Sequence, residues 1–410
     1  MRIVVVGASH AGVAFADAMR RHGFEGEVTM IDRLDGTPLE RPPLSKAFLL
    51  AGDDENDGFA LRAPAWFADR QITLLSGREA AGIDVGGHRV TLADGAVLDY
   101  DRLVLATGAV PRPFPGAEEL DGVFMLRNPE DATRLREASR STRSALVVGG
   151  GYIGLEVAAS LTKAGKAVTV IEAAPRLLAR VASPPISSFF AGLHGEAGVE
   201  VLTGSSVTEI RHRDGGFIGA TVANGREIDA DMMVVGIGVT PETGLATGAG
   251  LEIGNGILVD GDMRTSAVDI YAIGDGALDR SAWHGSRMES VHNAQETAER
   301  AAAAILGHAP PDRQAPWFWS DQYDVKLQSA GLLPAEGAKL RHIRREGRRE
   351  GGFSIWSFTD TELVAVEAIR DPSAYVLGKS CLESGRLPSP AQLSDADFDL
   401  KSFVADKSVA

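Results

Sequence analysis

Gly149-Gly150-Gly151-Tyr152-Ile153-Gly154 follows the apolar run Ala145-Leu146-Val147-Val148 and opens a helical stretch at 155–164. A G-x-G-x-x-G between a strand and a helix is the context that a dinucleotide-binding turn requires. Gly149 makes the turn, Gly151 lets the backbone approach a pyrophosphate, and Gly154 lets helix and strand pack closely. The helix N-terminus adds unpaired N–H groups and the positive end of its dipole. The next strand, 167–171, ends at Glu172. A carboxylate there accepts from both ribose hydroxyls of NAD and repels the 2′-phosphate of NADP. Arg176 and Arg180 lie just beyond and work against that repulsion.

The same pattern opens the chain. A β-branched run at 3–6 leads into Gly7-Ala8-Ser9-His10-Ala11-Gly12, an Ala-rich helical stretch at 13–22, and a strand at 28–31 ending at Asp32. Ser9 stands where the middle glycine is usual, and serine is small enough to keep a close phosphate approach. A single glycine turn is weak evidence, because parallel sheets use such turns for packing alone. Two copies with acidic strand ends read as an internal duplication, two nucleotide-binding modules in one chain. A third signal separates FAD from plain NAD binding. The strand in Thr265-Ser266-Ala267-Val268-Asp269-Ile270-Tyr271-Ala272-Ile273-Gly274-Asp275 delivers Asp275 to flavin ribityl hydroxyls, and Leu105-Ala106-Thr107-Gly108-Ala109 marks a second crossing.

Composition narrows the class. The chain has 410 residues, a prior for two or three domains, and a net charge of −15, which argues against sequence-independent nucleic-acid binding. Its one cysteine, Cys381, leaves no CxxC, no internal disulfide and no cysteine-ligated cluster or zinc site, and no metal is expected. No apolar run approaches the ~20 residues that span a bilayer. The expectation is a cytoplasmic protein with no membrane partner, a monomer or weak homodimer.

The Pro-rich stretch 111–115 reads as a crossover between domains, and composition changes after Pro316. Alternating stretches at 340–344, 353–358 and 363–369 predict a small, mainly antiparallel domain with a helix after Ser373 and a loosely held tail from Pro388. The expected fold is α/β: two Rossmann-like dinucleotide-binding domains plus a small α+β C-terminal domain. The boundaries are 1–113 (FAD, first part), 114–243 (NAD), 244–316 (FAD, second part) and 317–410 (C-terminal).

Three further segments carry a resemblance: Arg41-Pro42-Pro43-Leu44-Ser45-Lys46, Met288-Glu289-Ser290-Val291-His292-Asn293-Ala294 and Pro316-Trp317-Phe318-Trp319-Ser320-Asp321-Gln322. With the glycine turns, they make the chain, from Arg2 to about Pro372, similar to the two-dinucleotide-domain flavoproteins of the glutathione-reductase class. Within that class it resembles the ferredoxin reductases of oxygenase systems, the putidaredoxin reductase and biphenyl dioxygenase ferredoxin reductase family. The resemblance implies FAD contacts at Gly7, Ser9, Ala11, Gly12, Asp32, Arg41, Lys46, Ala80, Thr107, Gly108, Arg127, Gly274, Asp275 and Val291. It implies NADH contacts at Gly149, Gly151, Ile153, Gly154, Glu172, Arg180 and Gly238. Pro43, Lys46, Glu156, Glu289 and Trp319 match positions near the flavin and nicotinamide. His292 departs from the proline common in putidaredoxin-type members and reads as a core or surface histidine.

The resemblance further implies hydride transfer from NADH to FAD and single-electron release to a [2Fe-2S] ferredoxin feeding a cytochrome P450 or Rieske-type oxygenase. A Lys46–Glu156 ion pair would stabilise charge on the reduced flavin. Arg300, Arg313 and Lys326 fall in segments of the family's docking face. The run Arg341, Arg344, Arg345, Arg348 and Arg349 reads as a solvated hairpin. Rubredoxin reductase, NADH oxidase and a non-catalytic redox sensor resembling apoptosis-inducing factor remain as alternatives.

Overall fold

The computed structural model describes residues 1–52, 58–281, 287–334, 338–360, 362–395 and 397–405. The chain divides into two compact units: 1–40, 52–110 and 239–314 form the first, and 41–51, 111–238 and 315–410 the second.

In the first unit, Arg2–Val6 is buried from Ile3 onward because an unbroken β-branched run suits a strand covered on both faces. It pairs in parallel with Glu27–Ile31 on one side and Arg102–Leu105 on the other. Ile72–Leu75 and Ile270–Ala272 extend the sheet to five parallel strands. The chain fills one side of Arg2–Val6 before returning to the other. The C-terminal end of this strand is therefore a switch point, where open α/β sheets take their ligands. Gly7 sits there with φ 107°, and a Cβ on it would overlap the Ala106 carbonyl oxygen. The helix His10–Arg21 starts at this turn, and the helix Val291–Leu306 buries Ala294, Ala298 and Ala301 in the same core.

The second unit repeats the plan. Its parallel sheet runs Glu200–Thr203, Ala167–Glu172, Ser144–Val148, Met232–Val235, Val123–Met125. Gly149, with φ 112°, turns at the end of Ser144–Val148 and abuts the Gly236 carbonyl. The same unit holds a five-stranded antiparallel sheet in the order Trp317–Gln322, Val325–Gly331, Glu362–Ile369, Phe353–Thr359, Arg341–Glu346. Val325, Leu327, Phe353, Ile355 and Ile369 of this sheet share one core with Val147, Leu155 and Phe190. The fold is α/β, with two Rossmann-like parallel sheets and an α+β C-terminal part.

One expectation fails in the C-terminal part. The segment after Pro388 is not loosely held: it forms the helices Pro390–Ser394 and Leu400–Ala405, with Leu393 and Leu400 buried. The arginine run does lie in a hairpin, as expected: the strands Arg341–Glu346 and Phe353–Thr359 pair antiparallel, and Arg341, Arg344, Arg348 and Arg349 are exposed. Arg341, Arg344 and Arg345 lie on the strand Arg341–Glu346, and Arg344 stacks over Phe353. Arg345 donates to the carbonyls of Leu393, Asp395 and Phe398, pinning that last segment. Residues 406–410 of the expected tail lie outside the described residues.

A Cβ on Gly154 would run into the Gly149 carbonyl oxygen, whereas one on Gly151 would meet nothing within 4 Å. Gly154→Ala is therefore expected to cost about 1–3 kcal/mol through overpacking, and Gly151→Ala close to nothing. Urea unfolding of the two variants side by side checks this; equal losses would refute it.

Candidate functional site

Each dinucleotide turn is fastened by the acid that ends the next strand. Asp32 accepts from the Ala8 amide at 3.2 Å and the Leu34 amide at 3.1 Å, one with each carboxylate oxygen. Glu172 accepts from Gly150 N at 2.6 Å and Ala174 N at 2.7 Å in the same way. A carboxylate oxygen carries two lone pairs, so both acids keep acceptor capacity for a ribose. Asn128, Ser290, Asp371 and Ser389 cap their helices with side chains. Ser9 and Gly151, like Ser183 before the helix Pro184–Glu196, place no side chain on the helix that follows. A helix start without a capping side chain is suited to an anion. These features fit the pyrophosphate of a dinucleotide at both turns.

In the first unit the segment at 274–276 lies against two of the other expected flavin segments. Gly274, φ 71°, packs against Ala11, and a Cβ on Gly276 would come 2.9 Å from Gly108 O. Thr107 Oγ1 donates to Glu242 O at 2.6 Å. Asp275 sits in the 3-10 turn Gly274–Gly276, and its carbonyl accepts from Arg287 Nη1. Glu289 pairs with Arg287 at 2.7 Å, Val291 begins its helix, and Ala80 is buried at the start of Ala80–Asp84. Arg41, Pro43, Lys46, Arg127 and Trp319 belong to the second unit. Arg127 precedes a capped helix, its amide bonded to Asp131.

A cavity of about 310 Å³ in the second unit is lined by Gly149, Gly150, Gly151, Glu172, Arg180 and Ile237, among others. Gly238 lies beside Arg180, and Ile153 and Val181 are exposed. The two arginines beyond Glu172 differ. Arg176 is committed to the carbonyls of Ala179 and Ala182 and to Ser187 Oγ, so its guanidinium donors close its own loop. Arg180 lines the cavity. Sequence reading missed Gly150. A Cβ there would come 2.6 Å from Leu177 Cδ2 and 3.1 Å from Glu172, so a larger residue would have to displace both side chains.

The expected Lys46–Glu156 pair is present, with Nζ 2.7 Å from Oε2, and Glu156 is 2% exposed. Lys46 also donates to Pro42 O at 2.9 Å. Two hydroxyls that the sequence did not reveal complete the cage: Ser45 Oγ donates to Oε2 and Ser320 Oγ to Oε1, each at 2.6 Å. Burial pushes Glu156 above the usual carboxylate range, while Lys46 and the two serines pull it down. Trp319 stands on the strand that carries Ser320, tilted against Trp317 at 5.7 Å, and the neighbouring Phe318 stacks on Tyr152. Trp317 is half-buried, and His292 is buried beside Glu296 as a core histidine.

The expected docking cations divide. Arg300 is 7% exposed and braces the carbonyls of Gly261 and Pro311, so it is not a surface docking group. Arg313 is tied to Asp279 and Ser281. Lys326 is exposed, 3.5 Å from Asp321. Among the described residues no helix is long and apolar enough to cross a membrane, and no three acids, histidines or cysteines cluster as metal ligands.

Residues 1–298 match the family model "Pyridine nucleotide-disulphide oxidoreductase". The chain belongs to that family. Residues 317–404 match "Reductase C-terminal". Rhodocoxin reductase of Rhodococcus erythropolis is 42% identical over 409 residues, covering 99% of this chain and 95% of that relative. Rubredoxin-NAD(+) reductase of Pseudomonas putida is 39% identical over 375 residues, covering 91% and 96%. The crystal structure of the covalent putidaredoxin reductase–putidaredoxin complex superimposes with a TM-score of 0.92 at 37% identity, covering 100% of this chain and 99% of that one. The disulphide in the family's description has no counterpart within this chain. Cys381 is its one cysteine, buried, its thiol pushed up to about 11.

A second buried acid escaped sequence reading. Glu367 is 1% exposed, accepts from the Ser183 amide, and is pushed by burial up to about 7. The unfolded chain releases this proton near the ordinary value of 4.5, the native chain near 7. Between those values the unfolded state binds fewer protons, so this group makes native stability fall as pH rises, levelling off above the native value. Glu367→Gln should remove that fall. Relative to the unsubstituted protein it should gain about 3 kcal/mol across the window. Urea midpoints measured at both ends of the window check this, and a constant difference would refute it.

Proposed function

We propose that this chain is an FAD-dependent NADH:ferredoxin oxidoreductase of an oxygenase system. The observation that carries the reading is the pair of like-built dinucleotide turns, each with its acid clamp and a helix start free of a capping side chain. One nucleotide site suffices for a plain dehydrogenase; two in one chain call for a bound dinucleotide and a second that exchanges. In this reading residues 1–113 and 244–316 hold FAD, residues 114–243 take NADH, and residues 317–410 form the C-terminal domain. Bound FAD accepts hydride from NADH and gives up electrons singly.

The chain's own residues then have distinct tasks. Asp32 and Asp275 take hydroxyls of FAD, while Gly7, Ser9, Ala11, Gly12, Thr107, Gly108 and Gly274 shape its bed. Arg41, Ala80, Arg127 and Val291 complete the flavin contacts, and Pro43 borders the ring. Glu172 takes the NADH ribose and disfavours a 2′-phosphate, while the Arg176 donors are engaged within their own loop. Gly149, Gly151, Ile153, Gly154, Arg180 and Gly238 complete that site. Lys46, held in place by Glu156, stabilises negative charge on the reduced ring. Glu289 adds a carboxylate near the nicotinamide, and Trp319 shields the flavin edge. The acceptor is a [2Fe-2S] ferredoxin met through exposed cations such as Lys326. The protein works in the cytoplasm as a monomer or weak homodimer. A rubredoxin is the second acceptor to consider, given the 39% identity to a rubredoxin reductase; the cofactor chemistry is unchanged.

Anaerobic titration of the flavin-bound protein with NADH and NADPH tests this first. Rapid bleaching by NADH and far slower bleaching by NADPH are expected; bleaching over many minutes with either would overturn the enzyme reading. Lys46→Ala should slow reduction by NADH, and an unchanged rate would remove the lysine from the reaction. Turnover with a ferredoxin should fall steeply with added salt and exceed turnover with a rubredoxin; salt-independent turnover would refute charged docking.

A further inference from the structure

The Lys46–Glu156 pair is the end of a longer buried structure. Ser320 Oγ donates to Glu156 Oε1 at 2.6 Å, Gln322 Nε2 donates to Ser320 Oγ at 3.2 Å, and His194 Nε2 lies 2.8 Å from Gln322 Oε1. The Tyr323 hydroxyl stands 3.2 Å from His194 Nδ1. Ser320 and His194 are 0% exposed and Gln322 is 1% exposed. The chain crosses three elements: the helix Pro184–Glu196, the strand Trp317–Gln322 and the helix Tyr152–Lys163.

Donor counting fixes its direction. An ionised carboxylate only accepts, so the single proton of Ser320 goes to Glu156. Ser320 Oγ must then receive the Gln322 amide N–H, which turns the amide oxygen toward His194. That oxygen requires a proton on Nε2. Nδ1 is left as the acceptor facing the tyrosine hydroxyl. Burial holds His194 below its ordinary value, which keeps it neutral and in this one tautomer. Every proton in the chain therefore points toward Glu156. Apolar packing alone would have been met by aliphatic side chains at 320 and 322, two positions on one face of a strand.

We propose that Ser320, Gln322 and His194 are positioning residues that act through Glu156, holding it as a carboxylate so that the Lys46 ammonium stays fixed. The proposal rests on the role given above to the Lys46–Glu156 pair. The groups that face Glu156 are few. Lys46 and Ser45 come from the segment at 42–46, Ser320 comes from the strand Trp317–Gln322, and Tyr152 lies one turn earlier on its own helix. Lys46 is the cation among them, so each donor lost from the chain shifts Glu156 toward its protonated form.

The test reads Glu156 itself. In the flavin-bound protein, infrared difference spectra follow the carbonyl band of a protonated carboxyl against pH, with the band that Glu156→Gln removes assigned to Glu156. Ser320→Ala and Gln322→Leu should raise the midpoint of that band by roughly one pH unit, as expected for loss of one donor to a carboxylate. Ser320→Thr, which keeps the hydroxyl, should restore it. The pH profile of flavin reduction by NADH should move in step. An unmoved midpoint in folded Ser320→Ala and Gln322→Leu would overturn the proposal. A moved midpoint together with unaltered reduction in Lys46→Ala would overturn the role of the pair in the reaction, while the hold of the chain on Glu156 would stand.

Discussion

A carboxylate sealed from water must be paired or it gives up its charge. Glu156 is in that position, and much of the second unit is arranged around its needs. The acid sits on the helix that begins at the Gly149 turn, about 7 Å along the axis from Gly151. Its partners arrive from elsewhere: Ser45 and Lys46 from the segment at 42–46, and Ser320 from the first strand of the antiparallel sheet. Removing any one of them would leave a buried charge undersupplied, and breaking a buried pair costs far more than an exposed one contributes. This constraint accounts for two features of the second unit. The segment at 41–51 groups with it, and the C-terminal sheet shares its hydrophobic core rather than standing alone.

The acid clamps at Asp32 and Glu172 solve a related problem in a different way. Both carboxylates face backbone amides, with one oxygen on the turn and the other on the residue two further along the chain. Each clamp closes the turn before any ligand arrives. In the proposed function a ribose meets an acceptor already held in place, so little ordering is left to lose on binding. The second copy uses glutamate, one methylene longer, and the turn compensates with glycine at 150, where the acid and Leu177 come close. The first copy, with the shorter aspartate, carries Ala8 at the equivalent place.

The parts of this design that were legible in the sequence are local ones. Strand, glycine turn, helix and acidic strand end lie within about thirty residues of one another, and periodicity and turn chemistry report them. The partners of Glu156 are not local: Ser45 lies 111 positions away and Ser320 lies 164. A serine in a strand carries no mark of what it will face. Arg300 was misjudged for the same reason. The resemblance put it in a segment of the docking face, and only the fold brings the Gly261 and Pro311 carbonyls to its guanidinium. The segment after Pro388 looked polar because apolar residues such as Leu393, Phe398 and Leu400 are interspersed with Asp and Ser. Arg345 holds it from a strand some fifty residues earlier.

The two turns also separate what the three glycines of the motif do. The first and third are demanded by the chain itself. Gly7 and Gly149 have positive φ, and side chains on Gly12 or Gly154 would strike the carbonyl of the first glycine. The middle position has no such demand. Gly151 faces open space, and its φ of −80° and the −92° of Ser9 are accessible to any residue. What restricts that position is the ligand that must approach it, not the fold. A serine there in the first turn therefore leaves the architecture intact. It narrows the choice only by what a pyrophosphate tolerates nearby, and its hydroxyl is not used to cap the helix. Read this way, the irregular first motif is as complete as the regular second one, because each keeps the two glycines that the backbone requires.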